Sequence, residues 1–235
     1  AKSLIDEGFT GRPLIFNGYE QNSQWLDPMT PLRQVDIHAD QSVLQTSSLE
    51  GYGAPVIDIS HWWVGADLQR VVGTMRNFIP ERMVRETGQV MRMNIDDGDI
   101  YIGEFANGVL TSIQTSFVTI GNYPGIEARL YGEKGAIICR LVEEFGVAET
   151  IKIATPDGVE FKQMEIPQHF YPPGGHARES WRSLFYANLI RDFIDEILDG
   201  GDRNQGNFDD GAWVQETINA VERSFHEERW VRLPL

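Results

Sequence analysis

Between residues 68 and 166 the chain is a succession of short runs rich in β-branched and aromatic residues, broken by tight-turn signals. The runs are 71–78, 89–95, 100–105, 109–118, 126–131, 136–141, 150–153 and 159–166. Ala106-Asn107-Gly108, Gly132-Glu133-Lys134-Gly135 and Pro156-Asp157-Gly158 punctuate them. Strands joined by turns this short pair antiparallel, so the centre of the chain is expected to be a large, mainly antiparallel sheet. Along 109–118, Val109, Thr111, Ile113, Thr115 and Phe117 alternate with Leu110, Ser112, Gln114, Ser116 and Val118. The first set is an apolar face. The second is mixed but uncharged, where a solvated face would carry more Lys and Glu.

The flanking segments have the period of helices. Ala1, Leu4 and Ile5 share a face before Gly8, which reads as the tail of a helix followed by a strand over 12–19. A polar connection over about 21–50 is long for a loop and is expected to cover something. Val56, Ile57, Ile59, Trp62 and Trp63, between Pro55 and Gly65, form a mostly buried helix. Trp181, Leu184, Phe185, Leu189, Ile190, Phe193, Ile194, Ile197 and Leu198 recur at spacings of three and four until Gly200-Gly201. That stripe is expected to bury against the sheet. A last helix over 209–227, with Val214, Ile218, Val221 and Phe225 on one side, and a strand over 230–233 complete an α+β domain spanning 1–235.

Composition narrows the function. Thirty-five acidic against 20 basic residues give a net charge of -15, which repels nucleic acid and anionic membrane surfaces. No run approaches the length of apolar chain that spans a bilayer and AKSLIDEGFTG lacks a signal-peptide core, so a cytoplasmic location is expected. The sole cysteine, Cys139, lies in an apolar run and reads as a buried thiol.

Several local patterns lead nowhere. Gly51-Tyr52-Gly53-Ala54-Pro55-Val56 has two glycines of a dinucleotide fingerprint, but Val56 holds the third place and no βαβ unit surrounds it. Asp96-Asp97-Gly98-Asp99 lacks the ligand spacing of a cation loop and reads as a solvated turn. The histidines at 38, 61, 169, 176 and 226 include no pair at metal-ligand spacing on one helix. Arg12, Arg76 and Arg82 are candidate carboxylate binders only in the sense that any arginine is.

The order of motifs is more specific than any one of them. Ala1 through Gly11, Val56-Ile57-Asp58 through Trp62-Trp63-Val64-Gly65, Glu104 through Gly108, Leu130 through Ala136, and Phe208-Asp209-Asp210-Gly211 followed by Ala220 through Ser224 together resemble one family. It is the C-terminal region of the glucose-fructose oxidoreductase, inositol dehydrogenase and rhizopine-catabolism (Gfo/Idh/MocA) oxidoreductases. The resemblance implies an open sheet of dihydrodipicolinate-reductase-like type, with helices on one face. It also implies an intact enzyme with an N-terminal Rossmann domain, a catalytic lysine in a Glu-Lys-Pro segment, and NAD or NADP as cofactor. Neither N-terminal part is in this sequence, so the chain is expected to be a fragment that binds no nucleotide itself.

In the family an aspartate and, four residues later, a histidine at the start of the buried helix serve substrate binding and proton transfer. Alignment on Asp58, Trp62 and Gly65 puts Gly51 and Pro55 at those places, and neither transfers a proton. His61 lies roughly 120° around the helix from Pro55, at about 100° per residue, and is expected to face elsewhere. Asp58 is nearer that face. His169, His176 and Arg178, in a loop stiffened by two prolines and two glycines, are the remaining candidates for meeting a polyol or sugar acid. The catalytic residues are unknown, and no metal is expected. Two functions follow: the substrate-binding and oligomerisation domain of an NAD(P)-dependent oxidoreductase acting on a sugar, polyol or related hydroxy compound, or a non-catalytic ligand-binding or scaffold domain derived from one. In either, the open sheet face is expected to join homodimers or higher even oligomers, with Gln114 and Ser116 near the contact.

Overall fold

The computed structural model describes the chain except residues 33–37, 39, 121–124, 143–148, 172–180 and 201–205, and except the side chains of Val142, Glu149, Val159 and 181–185. In chain order the elements are α1 (Lys2–Asp6), β1 (Pro13–Gln21), a π-helical turn (Leu49–Gly53), α2 (Ala54–Val64), β2 (Leu68–Arg76), β3 (Glu81–Met83), β4 (Val90–Arg92), β5 (Gly98–Phe105), β6 (Leu110–Ser116), β7 (Gly125–Gly132), β8 (Ala136–Val142), β9 (Glu149–Thr155), β10 (Gly158–Met164), α3 (Trp181–Asp199), α4 (Phe208–Glu227) and β11 (Val231–Arg232). Nine strands form one sheet in the order β10-β9-β8-β7-β1-β6-β5-β2-β11, and β3 pairs with β4 apart from it.

The tight turns do what their chemistry dictates. β5 with β6, β7 with β8 and β9 with β10 are antiparallel neighbours across them, and β8 pairs antiparallel with β9 as well. The exception is β1, which inserts between β6 and β7 and runs parallel to β6, Ile15 opposite Leu110 and Gln21 opposite Ser116. Nothing local specifies that pairing, because the two strands have no turn in common.

The covered face carries the core. Phe16, Val71, Met75, Tyr101, Phe105, Ile113, Leu130 and Ile137 are buried on it, under Val56, Ile57, Trp63, Val214, Ile218 and Val221 of α2 and α4. Phe16 meets Trp63 edge to face, with ring centroids 6.2 Å apart. α2 comes so close to β1 that a Cβ on Gly18 would lie 2.2 Å from Val56 Cγ1. α2 ends at Gly65, whose left-handed backbone returns its N–H to the carbonyl of His61.

The long connection after β1 does cover something. Leu32 bridges to Val84 and Gln45 to Ile95, and Leu32, Val84, Met93, Ile95 and Phe117 make a second small core, with Trp25 and Tyr52 against it. Beside this core lies Arg82, fully buried and paired with Asp97 at 2.7 Å.

Four expectations need correction. The α3 stripe is not buried: Leu189, Ile190, Phe193, Ile194, Ile197 and Leu198 are all exposed, Leu198 by 75%, while α2 and α4 fill the layer over β1, β6, β2 and β11. The side chains of Trp181, Leu184 and Phe185 lie outside the described residues. Asp96, Asp97 and Asp99 are not a solvated turn but are 0%, 0% and 3% exposed, because each carboxylate caps or pairs with buried donors. Ser116 is buried, its hydroxyl bonded to the carbonyl of Asp97. Cys139 is half-buried.

Candidate functional site

The chain enters α2 through a turn fastened from below. The carboxylate of Asp96 accepts the backbone N–H of Ser47, of Ser48 at 3.0 Å and of Leu49 at 3.0 Å. The Ser48 hydroxyl lies 3.0 Å from that of Thr115 on β6. These are the N–H groups a helix start leaves without partners, and here a side chain 47 residues away in sequence supplies the acceptor. From this anchor the π-helical turn and α2 project Gly51, Pro55, Ile59 and Trp62, spaced by four, four and three residues. Gly51, Pro55 and Trp62 are exposed.

That stripe leads into a groove. Ile59 and Trp62 form one wall of an apolar depression of about 580 Å³, opposite Ile126, Leu141 and Ile151 of the sheet, Leu4 of α1 and Met164. Lys2, Glu7, Glu165 and His169 are the groups at its rim and wall that carry or can carry charge. His169, a candidate from the sequence, lines this depression, with its ring centroid 4.2 Å from that of Phe170. Asp58 does not join it. It lies on the flank of α2 that faces α4, where burial, and then the charge of Asp210, raise its pKa above the usual aspartate value while His61 opposes them. His61 is on that flank too, stacked on Trp213 with centroids 4.1 Å apart. His176 and Arg178 lie outside the described residues.

Glu20 escaped the sequence reading. It follows Phe16 and Gly18 on the covered face of β1 and is opposite Thr115 and Ile126 on the neighbouring strands. Its Oε2 is buried without a hydrogen-bond donor among the described residues, and burial pushes its pKa up to about 8. Strict alternation from Phe16 places a carboxylate on the core side; that was the available signal.

Among the described residues, the starts of α2 and α4 do not fit a dinucleotide phosphate. The N–H groups leading into α2 are taken by the Asp96 carboxylate. Those of α4 are taken by Asn207 in a capping box with Asp210. A phosphate would displace a carboxylate at the first and meet two acidic side chains at the second. Among the described residues no cluster of His, Cys, Asp and Glu is arranged to hold a metal ion, and no described helix is long and apolar enough to cross a membrane.

The sheet is open, nine-stranded and covered on one face, with the groove beside the second half of α2. The fold matches an oxidoreductase domain protein from Kribbella flavida at a TM-score of 0.80 and 21% identity, over 100% of this chain and 62% of that one. It matches a levoglucosan dehydrogenase in complex with NADH at 0.79 and 23%, over 99% of this chain and 62% of that one. In sequence, the levoglucosan dehydrogenase of Pseudarthrobacter phenanthrenivorans is 25% identical over 100% of this chain and 63% of its own length. The chain thus spans less than two-thirds of these relatives. A family model described as the GFO/IDH/MocA C-terminal domain matches residues 1–138, more than half of the 235. The chain belongs to that family.

Proposed function

We propose that this chain is the substrate-shaping and subunit-pairing domain of an NAD(P)-dependent dehydrogenase acting on a sugar, polyol or related hydroxy compound. A nucleotide-binding domain elsewhere in the intact protein would supply hydride transfer. The observation that carries the reading is the apolar groove walled by Ile59 and Trp62 of α2, with His169 and Lys2 at hand. An aromatic wall beside a few polar groups is the usual platform for a sugar ring. The relatives support the substrate class, since their names give levoglucosan, an anhydrosugar, as a substrate or ligand. His169 is the groove residue we assign to substrate contact; Asp58, on the flank facing α4, is not assigned to it, and His176 and Arg178 remain candidates from the sequence.

The second part of the proposal concerns the open face. Ile15, Ile100, Ile102 and Leu110 are 42%, 47%, 47% and 50% exposed there, with Ser112 and Gln114 between them and no charge until the Arg70–Glu104 and Arg129–Glu127 pairs at either side. An apolar centre rimmed by ion pairs supports a two-fold contact between copies.

Gly51 and Pro55 support the rival reading, a domain that binds a ligand or scaffolds without turning it over. The full reading frame containing this segment, assayed with NAD and NADP against anhydrosugars, polyols and aldoses, separates the two. Substrate-dependent reduction of nicotinamide is expected. Sugar binding without turnover would establish the rival, and neither binding nor turnover would remove both. The chain alone is expected to bind neither dinucleotide in a calorimetric titration, and micromolar affinity for either would overturn the division of labour.

A further inference from the structure

A row of polar side chains crosses the covered face beneath the turn that leads into α2. Asp99 of β5, Thr115 of β6 and Glu20 of β1 are register neighbours on three adjacent strands. Asp99 is 3% exposed, and Asp96, three residues earlier, is fully buried. One oxygen of Asp99 accepts the hydroxyl of Thr115. The other, Oδ1, is buried and meets no N–H or O–H donor among the described residues. The carboxyl groups of Asp96 and Asp99 are nevertheless hydrogen-bonded to each other.

Two ionised carboxylates are both acceptors and cannot make that bond; one of them must carry a proton. Asp96 accepts three backbone N–H groups, which favours its anion. The proton therefore belongs on Asp99. Among the described residues no cation pairs with either carboxylate, and the buried Arg82 is committed to Asp97 at 2.7 Å. The other titratable groups facing the pair are Tyr101, next on the same face of β5, and Glu20, beyond Thr115. Neither brings a positive charge.

We propose that Asp99 is a positioning residue for the exposed stripe of α2: as a neutral acid it donates to Asp96 and so holds the turn 47–49 from which that stripe is projected. The functional meaning rests on the role assigned to the stripe above; the latch itself does not. Burial, and then the charge of Asp96, raise the Asp99 pKa well above the ordinary aspartate value. The native chain thus keeps a proton that the unfolded chain loses near pH 4. Burial raises the Asp96 pKa as well, to about 6, so the latch is closed where Asp96 has lost its proton and Asp99 keeps its own, and it opens as pH rises through the native Asp99 pKa, when two anions share one dry site.

Amide hydrogen exchange over residues 47–53, corrected for the intrinsic base catalysis of exchange and followed from pH 6 to pH 10, tests this. The wild-type chain is expected to lose at least about tenfold in protection across that range. Asp99→Asn presents an amide donor to Asp96 and an oxygen to Thr115 but has no proton to lose, so its protection is expected to stay flat. In the infrared, the wild type is expected to show a protonated carboxyl stretch that Asp99→Asn lacks. Identical pH profiles in the two proteins, or an unchanged carboxyl band in Asp99→Asn, would overturn the proposal. Neither readout needs substrate, so failure here and failure of the dehydrogenase reading are separate results.

Discussion

The imidazole of His61 lies flat on the indole of Trp213, 4.1 Å between centroids and 16° between planes, with Nε2 3.4 Å from the Asp67 carboxylate. The contact ties α2 to α4 and turns the ring away from the stripe containing Pro55. His61→Ala is therefore expected to cost about 1 kcal/mol of stability and to leave kcat/KM of the dehydrogenase proposed above within a few-fold. Thermal denaturation and steady-state kinetics check the two halves. A thousandfold loss of kcat/KM, about 4 kcal/mol of transition-state stabilisation, would mean that His61 takes part in the reaction.

Arg82 holds together the small core under the long connection. Its guanidinium donates to Asp97 at 2.7 Å and to the Trp25 carbonyl at 2.8 Å, and lies 5.3 Å from the centre of the Phe117 ring. Asp97 also accepts the backbone N–H of Phe78 and Ile79. Removing one member strands the other charge in a dry site, so Arg82→Met is expected to destabilise by about 3–5 kcal/mol. Chemical denaturation measures it; a loss below about 1 kcal/mol would show that water reaches Asp97.

Glu20 makes stability fall as pH rises. Its native pKa is up at about 8, against 4.5 for the ordinary group, because burial disfavours the anion. Below the lower value both native and unfolded chains hold the proton and its contribution is complete. Between the two values only the native chain does, and stability drops by about 1.4 kcal/mol per pH unit from this one group. Glu20→Gln is expected to flatten that share of the slope and to be the more stable protein at pH 8.5. Denaturant melts of both proteins at pH 5 and pH 8.5 provide the comparison.

The open face gives a prediction about assembly. Ile102 and Gln114 are on neighbouring strands in the apolar middle of that face, and Ser116, which the sequence also nominated, is buried beneath it. Replacing Ile102 and Gln114 with Lys is expected to separate the subunits by setting like charges opposite their two-fold mates. Sedimentation at tens of micromolar reads the result. A monomeric wild type, or an unaltered oligomer in the variant, would remove this surface from consideration.

What the sequence reveals and conceals follows the range of the forces involved. The strands from β5 to β10 are legible because their β-branched and aromatic runs are punctuated by turn chemistry at 106–108, 132–135 and 156–158, and the end of α2 because Gly65 fits a left-handed cap. Asp96-Asp97-Gly98-Asp99 misleads because its meaning is held elsewhere: the N–H donors it caps belong to Ser47, Ser48 and Leu49, and no local pattern announces that need. The apolar stripe of α3 says that the helix wants a partner without saying where, and the described chain does not provide one. At the candidate site, the family resemblance puts Gly51 and Pro55 where a proton-transferring pair is expected, whereas Glu20, buried on the covered face of β1, was hidden in a strand that looked merely structural.

The insertion of β1 between β6 and β7 also governs how the chain folds. The hairpin of β5 and β6 and the meander from β7 to β10 close over short loops and form early. β1 has to bridge a separation of 95 residues to reach its parallel partner, so it waits, made first and seated last. Until then the sheet is two pieces with raw edges facing one another, each an invitation to another chain. The polar residues Asn17, Glu20 and Gln21 along β1 keep the waiting strand soluble, and the step that seats it joins the two halves of the sheet into one.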